Sequence, residues 1–358
     1  MSTAFPARYW HVRDDGRLQC DLCPRHCRLA EGQQGLCFVR ERRSDAVILT
    51  TYGRSSGFCV DPIEKKPLNH FLPGSAVLSF GTAGCNLTCK FCQNWEVSTS
   101  RRVDTLAESA SPETIAAAAQ RLGCASVAFT YNDPVIFHEY AVDVAAACHD
   151  RGVRTVAVTA GYVCPEPRAA FYRDIDAANV DLKGFTEAFY RSRCSAELGP
   201  VLDTLRYLRH ETSVWLEITT LLIPGENDSP GEIEAECRWI AETLGPDVPL
   251  HFSAFHPAHK LSGHAYTPLA TLVRAREIAR AAGIHHVYLG NVDDPERAST
   301  WCQGCGVRLI ERRGYALSAW ELTPGGACRF CGVPLAGVYA SKPGGWGNRR
   351  QPVRFSAP

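Results

Sequence analysis

From residue 77 to residue 290, short apolar runs alternate with stretches of helical periodicity. No other feature of this 358-residue chain limits its fold so strongly. Residues 77–81 read as a first strand, followed by 126–130, 155–159, 179–182, 214–223, 250–255 and 287–290. Between them lies a helix capped by Ser111, with Pro112 at its first position and Gly123 past its end. Further helices are expected over 134–151, 201–210, 232–244 and 268–282, with a short one after the third strand. Such alternation implies an α/β fold with a parallel sheet and right-handed crossovers. Six or seven units are too few to close an eight-stranded barrel, so an open, partial (β/α)6 TIM-like barrel is expected, with a doubly wound sheet as the alternative. In a parallel barrel, reactive groups gather at the carboxyl ends of the strands.

The chain has 17 cysteines. It shows no signal-peptide core and no run of roughly 20 apolar residues able to cross a bilayer. A cytoplasmic location is therefore expected, where thiols stay reduced and clustered cysteines bind metal. Three clusters are present: Cys20, Cys23, Cys27 and Cys37; Cys85, Cys89 and Cys92; Cys302, Cys305, Cys328 and Cys331. The six scattered ones (Cys59, Cys124, Cys148, Cys164, Cys194, Cys237) read as buried filler. Residues 1–70 then form a cysteine-rich cap, 71–295 the barrel, 296–340 a small module and 341–358 an irregular, Gly-, Pro- and Arg-rich tail. Lysine plus arginine equals aspartate plus glutamate, 38 each, so no overall field draws the chain to nucleic acid or membrane.

The two C-x2-C knuckles at Cys302/Cys305 and Cys328/Cys331 have the spacing of a zinc ribbon, although four thiolates also suit iron. The amino-terminal four suit either zinc or a second Fe-S cluster. Cys85, Cys89 and Cys92, spaced C-x3-C-x2-C directly after the first strand, are one ligand short of holding a four-iron cluster, which leaves one iron open.

That motif resembles the radical S-adenosylmethionine (SAM) superfamily, in which the open iron of a [4Fe-4S] cluster chelates SAM. The resemblance implies that Phe91 lies near the adenine, and that Thr130-Tyr-Asn-Asp-Pro134 stands where relatives have a glycine-rich segment, so Asn132 and Asp133 would contact SAM by side chains. An ordinary helix start at Pro134 is the other reading. Thr159, at the end of the third strand, is expected among the SAM contacts. Asp181 and Lys183 resemble the DxK element of glycyl-radical-enzyme activases, directed at the ribose and carboxylate of SAM, unless they form a solvated surface pair. His256 resembles the activase histidine near SAM, and Glu217, which alternates with apolar neighbours, is expected to point toward the same site. The spacing of His251, His256, His259 and His264 matches no metal pattern.

Across roughly residues 18–340 the chain is similar to the radical-SAM component of the AmmeMemoRadiSam system, related to pyruvate formate-lyase activating enzymes. The similarity is carried by Cys20-Asp-Leu-Cys-Pro-Arg-His-Cys27, Asp61-Pro-Ile-Glu-Lys-Lys-Pro67, Phe71-Leu-Pro-Gly74, Val180-Asp-Leu-Lys-Gly184, Leu222-Ile-Pro-Gly225 and Tyr288-Leu-Gly-Asn291. It departs at Ala160, where relatives usually have asparagine, and at Asp133, where they have glutamate. The resemblance implies a partial radical SAM barrel and reductive cleavage of SAM with hydrogen abstraction from a protein or small-molecule substrate. It further implies a reductant such as flavodoxin or ferredoxin, and AMMECR-domain and Memo-like partners. Activation of a glycyl radical enzyme is the nearest alternative. A non-catalytic zinc or Fe-S adaptor or electron carrier is the alternative of another class. Residues 61–67 either contact substrate or brace the cap against the barrel.

Overall fold

In the computed structural model, which describes residues 5–99, 106 and 108–355, the expected strands assemble into one sheet. Strand β1 (Phe58–Pro62) runs antiparallel to β2 (Ala76–Phe80). From β2 the sheet continues through β3 (Ser126–Phe129), β4 (Arg154–Thr159), β5 (Ala177–Asp181), β6 (Trp215–Leu222), β7 (Leu250–Ala254) and β8 (Val287–Gly290). These seven strands are parallel and lie in chain order. Sequential order without reversal excludes the doubly wound alternative, which needs a switch point. The crossovers carry α1 (Pro112–Arg121), α2 (His138–His149), α3 (Pro165–Tyr172), α4 (Gly199–Glu211), α5 (Pro230–Trp239) and α6 (Leu269–Ala281). Six strand-helix units and an open seam are the partial barrel the periodicity predicts.

Local chemistry sets the element ends. The Ser111 and Ser229 side chains accept from the amides of Thr114 and Glu232, and α1, α3 and α5 begin with proline. The helix expected over 134–151 divides, because Asp133 caps a tight 3-10 turn at Pro134–Phe137 before α2 begins. Inside the barrel, Val77, Ala128, Val156 and Ala177 pack with Ile63, Leu68 and Phe71 to make an apolar floor. Among the described residues, no helix is long and apolar enough to cross a membrane.

The cap is attached through a buried ion pair. Arg40 donates to both carboxylate oxygens of Glu139 on α2 at 2.9 Å, and Glu139 also accepts from the Arg8 amide. The carboxy-terminal module is a three-stranded antiparallel sheet (Thr300–Trp301, Arg308–Arg313, Ala316–Trp320). Its buried Arg312 donates to the Asn69 carbonyl at 2.7 Å. Two expected boundaries shift: β1 lies in the central sheet although it falls within residues 1–70, and the tail is not wholly irregular. Strand β9 (Gln351–Val353) pairs antiparallel with β1, covering an edge that would otherwise present unpaired backbone groups.

Glu236 on α5 is buried and accepts from Thr220 Oγ1 on β6, and burial pushes its carboxyl up from the usual 4.5 to about 8. Between those values the folded chain holds a proton that the unfolded chain has released, so stability falls as pH rises from about 4.5 to about 8. Glu236→Gln should flatten that decline and raise stability at pH 8 by a few kcal/mol relative to the parent. Chemical denaturation across this pH range checks it, with a parallel, unshifted profile as the contrary result.

Candidate active site

The loop that leaves β2 carries Cys85, Cys89 and Cys92, and close backbone contacts fix its course. A Cβ at Gly81 would meet the Thr130 carbonyl oxygen at 2.3 Å, and one at Gly84, where φ is +82°, would meet the Cys37 carbonyl oxygen at 1.9 Å. Only glycine allows both approaches. Asn132 Oδ1 accepts from the Thr82 amide at 3.1 Å, while its Nδ2 donates to the Gly84 carbonyl at 2.8 Å. On the far side, the amides of Thr88 and Lys90 donate to the carbonyls of Cys194 and Arg193.

All three thiols line one cleft of about 400 Å³ at the carboxyl end of the sheet. Burial raises the Cys85 thiol, and the nearby Asp133 carboxylate adds to the shift. Cys89 is raised by a hydrogen bond with Cys194 and by burial, and Cys92, whose Sγ lies 3.2 Å from Ser98 Oγ, is raised by burial. Three soft donors on one cleft, with the Cys194 thiol paired to Cys89 outside the cleft lining, suit an iron-sulfur cluster with one open iron, and taking it up would release their protons.

Opposite the loop, Asp181 and Lys183 leave the end of β5 and form an ion pair of 2.6 Å on the cleft wall. Burial opposes the Lys183 charge, but the Asp181 carboxylate outweighs it and keeps the ammonium protonated. The pair borders the cleft with its side chains part-buried, 19% exposed for Lys183 and 30% for Asp181. Phe91 lines the same cleft from a buried position against Phe189.

Asn132, Asp133 and Thr159 also border the cleft, yet their polar atoms are engaged by the protein. Asp133 accepts from the Val135 amide, the Ala160 amide and Thr159 Oγ1, at 2.9–3.2 Å. These residues shape the strand ends, and the polar groups of Asn132 and Asp133, expected to contact SAM, are already bonded within the protein. Their neighbour Tyr131 takes φ +72°, the left-handed region glycine favours, where relatives of the resembled family have glycine. Its hydroxyl donates to Asp61 at 3.1 Å, and Lys66 Nζ sits 5.1 Å from its ring centroid.

Two expected residues lie elsewhere. Glu217, near the amino end of β6, accepts from the amides of Asn69 and His70, from Trp215 Nε1 and from His251 Nε2 at 2.7–3.0 Å. It belongs to the barrel floor: alternation gives the face of a strand residue but not its height, and Thr219, two residues on, reaches the cleft instead. His256 is exposed and packs edge-on against Tyr266, outside the cleft lining. The other histidines diverge, His264 to Glu226 and His259 onto Trp95.

Sequence reasoning missed Cys194, read as apolar filler, which is the partner of the Cys89 thiol. It also missed Tyr131 and Tyr315, the latter at the hairpin tip of the carboxy-terminal module. Within residues 61–67, Asp61 pairs with Lys65 and Lys66 at 2.8 Å each, and both lysines border the cleft. At the carboxy-terminal knuckles, all four cysteine sulfurs lie within 4.8 Å of one another, with Cys302–Cys331 at 3.5 Å and Cys305–Cys328 at 3.8 Å. One tetrahedral metal ion fits there.

The radical SAM superfamily model matches residues 80–236, the stretch that carries the cysteine loop and the Asp181–Lys183 pair. An uncharacterized protein of Methanocaldococcus jannaschii is 36% identical over 330 residues, covering 92% of this chain and 98% of its own. The chain belongs to the radical SAM superfamily. Among solved structures, a radical SAM methyltransferase from Sphaerobacter thermophilus is 16% identical, with a TM-score of 0.48 over 81% of this chain and 77% of that one. A domain of a pyruvate-formate lyase-activating enzyme from Bacteroides vulgatus is 17% identical, with a TM-score of 0.41 over 46% and 99%. As a radical SAM enzyme the protein requires a [4Fe-4S] cluster, SAM and an electron donor.

If Asn132 holds the cluster loop of this radical SAM enzyme, Asn132→Ala should leave the amide of Thr82 and the carbonyl of Gly84 unpaired, at a cost of about 1–3 kcal/mol. Thermal melting should show a lower Tm, and iron analysis after reconstitution a reduced content. Unchanged values for both would rule out a bracing role.

Proposed function

We propose that Cys85, Cys89 and Cys92 hold the [4Fe-4S] cluster and that the chain abstracts hydrogen from a substrate held in the same cleft. The observation that carries this reading is the convergence of those three thiols with Asp181, Lys183 and Phe91 on one cleft at the carboxyl ends of parallel strands. When bound, the cluster supplies the electron that splits SAM into methionine and a 5'-deoxyadenosyl radical.

The chain's own residues orient the reaction. Lys183, kept cationic by Asp181, pairs with the methionyl carboxylate, and Asp181 accepts from the ribose hydroxyls. Phe91 offers an apolar face to the adenine. Gly81 and Asn132 hold the loop at a fixed height, and the buried Cys194 pairs with the Cys89 thiol. The substrate takes the side of the cleft bordered by Lys65, Lys66, Tyr131 and Tyr315, a wall of two cations and two phenols suited to a polar or anionic group. The sequence resemblance supports placement in the AmmeMemoRadiSam system, with AMMECR-domain and Memo-like proteins as partners. The sulfur spacing at Cys302, Cys305, Cys328 and Cys331 supports structural zinc.

Anaerobically reconstituted protein given dithionite should release 5'-deoxyadenosine and methionine from SAM, and Cys85→Ala should release neither; equal turnover by that variant would sink the assignment. Lys183→Ala should weaken SAM binding about ten- to a hundredfold, the worth of a charge-assisted hydrogen bond. Calorimetric titration measures it, and unchanged affinity removes Lys183 from the binding site. Metal analysis of Cys302→Ala/Cys328→Ala should show about one zinc fewer per chain than the parent.

A further inference from the structure

The two outer cysteine sets differ in how far their sulfurs are spread. The carboxy-terminal four meet within 4.8 Å, as one tetrahedral ion requires, since Zn–S bonds of about 2.3 Å put neighbouring sulfurs about 3.8 Å apart. Among the described residues, no other set of three or more His, Cys, Asp or Glu donors meets that limit. Cys20, Cys23, Cys27 and Cys37 therefore stand wider apart, as do Cys85, Cys89 and Cys92, yet all four line a single enclosed cavity. Four thiols round one cavity can each serve a different iron of a cluster.

The walls of that cavity are prepared for an anion rich in acceptors. Arg40, 1% exposed, gives its two terminal nitrogens to Glu139 and leaves its Nε–H without a partner. Arg25 donates from Nε to the Asn86 carbonyl at 2.8 Å and leaves Nη2 buried and unpaired. Both arginines line the cavity, and the Leu36 amide lies 3.5 Å from Cys27 Sγ. Buried donors without acceptors are costly, and inorganic sulfides beside thiolates would satisfy them. Cationic N–H groups next to a cluster also favour its reduced, more negative state.

This cavity adjoins the radical site through the main chain. The Cys37 carbonyl presses against Gly84, the residue before Cys85, while Asn86, the residue after it, lines the cavity and receives Arg25. Both neighbours of Cys85 thus touch the amino-terminal site.

The geometry points to an all-cysteinyl [4Fe-4S] cluster on Cys20, Cys23, Cys27 and Cys37 that relays electrons to the cluster at Cys85. The relay rests on the proposed function, whereas the cluster itself does not. One electron enters from a low-potential protein donor of the ferredoxin or flavodoxin class, reduces the amino-terminal cluster and leaves to the cluster at Cys85. It is consumed when the bond between the 5' carbon and the sulfonium breaks: methionine sulfur keeps two of the three electrons as a lone pair, the 5' carbon keeps one, and no proton moves.

The test uses the full chain, reconstituted anaerobically with iron and sulfide. Cys85→Ala/Cys89→Ala/Cys92→Ala should retain about four irons and four sulfides per chain. After dithionite reduction it should give an electron paramagnetic signal that SAM does not alter, because no iron is open. Zinc in the amino-terminal set, or no acid-labile sulfide in this variant, overturns the cluster. Cys23→Ala/Cys27→Ala should keep a SAM-shifted signal and dithionite-driven SAM cleavage, while losing cleavage driven by reduced ferredoxin or flavodoxin; undiminished rates with the protein donors overturn the relay. Should the parent show no SAM-responsive signal while the triple variant keeps its cluster, the radical-site reading fails and the amino-terminal cluster stands.

Discussion

The cysteine loop after β2 is clamped by backbone contacts too close for any side chain, and the rest of the molecule is arranged round that clamp. Gly81 lies against the Thr130 carbonyl and Gly84 against that of Cys37, so the loop touches the next strand end and the amino-terminal cap at once. Asn132 supplies the hydrogen bonds that an irregular loop lacks, bonding Thr82 and Gly84 from a buried position. A loop held this way can present three thiols at a fixed height, which a cluster demands and a mobile loop could not provide.

The same contacts explain why the cap is integral to the site. Arg40 and Glu139 lock the cap to α2 through a fully buried ion pair, which alone is weak evidence for stability because desolvation offsets much of its attraction. Its effect here is positional: with Arg40 fixed, the cavity of Cys20, Cys23, Cys27 and Cys37 stays against the cluster loop. On the opposite side Arg312 and the Glu217 network tie the carboxy-terminal module to the barrel floor, which brings Tyr315 to the rim of the cleft. The barrel supplies most of the cleft lining, and Tyr315 of the carboxy-terminal module completes its rim.

Much of this was legible in the chain itself. The alternation of apolar runs and helical stretches specified a parallel sheet with right-handed crossovers and pointed to the partial barrel, while the observed strand order excluded the doubly wound alternative. Cysteine spacing separated three candidate ligand groups, since knuckle geometry is local. Asp181 and Lys183 were likewise found from their place at a strand end. The residues that were misread share a cause: Glu217, His256 and Cys194 were judged by type and face, while their roles depend on depth along the barrel axis and on partners far away in the chain.

The amino-acid sequence by itself determined the architecture, the cysteine loop and the class of chemistry, because periodicity, glycine placement and ligand spacing act over a few residues. Tertiary structure alone decided which polar groups remain free to meet a ligand, that Asn132 and Asp133 hold the scaffold, that residues 351–353 close a sheet edge, and that two cysteine quartets of equal ligand number differ in spread. Those outcomes depend on distances between segments up to hundreds of residues apart, and such distances exist only once the chain has packed.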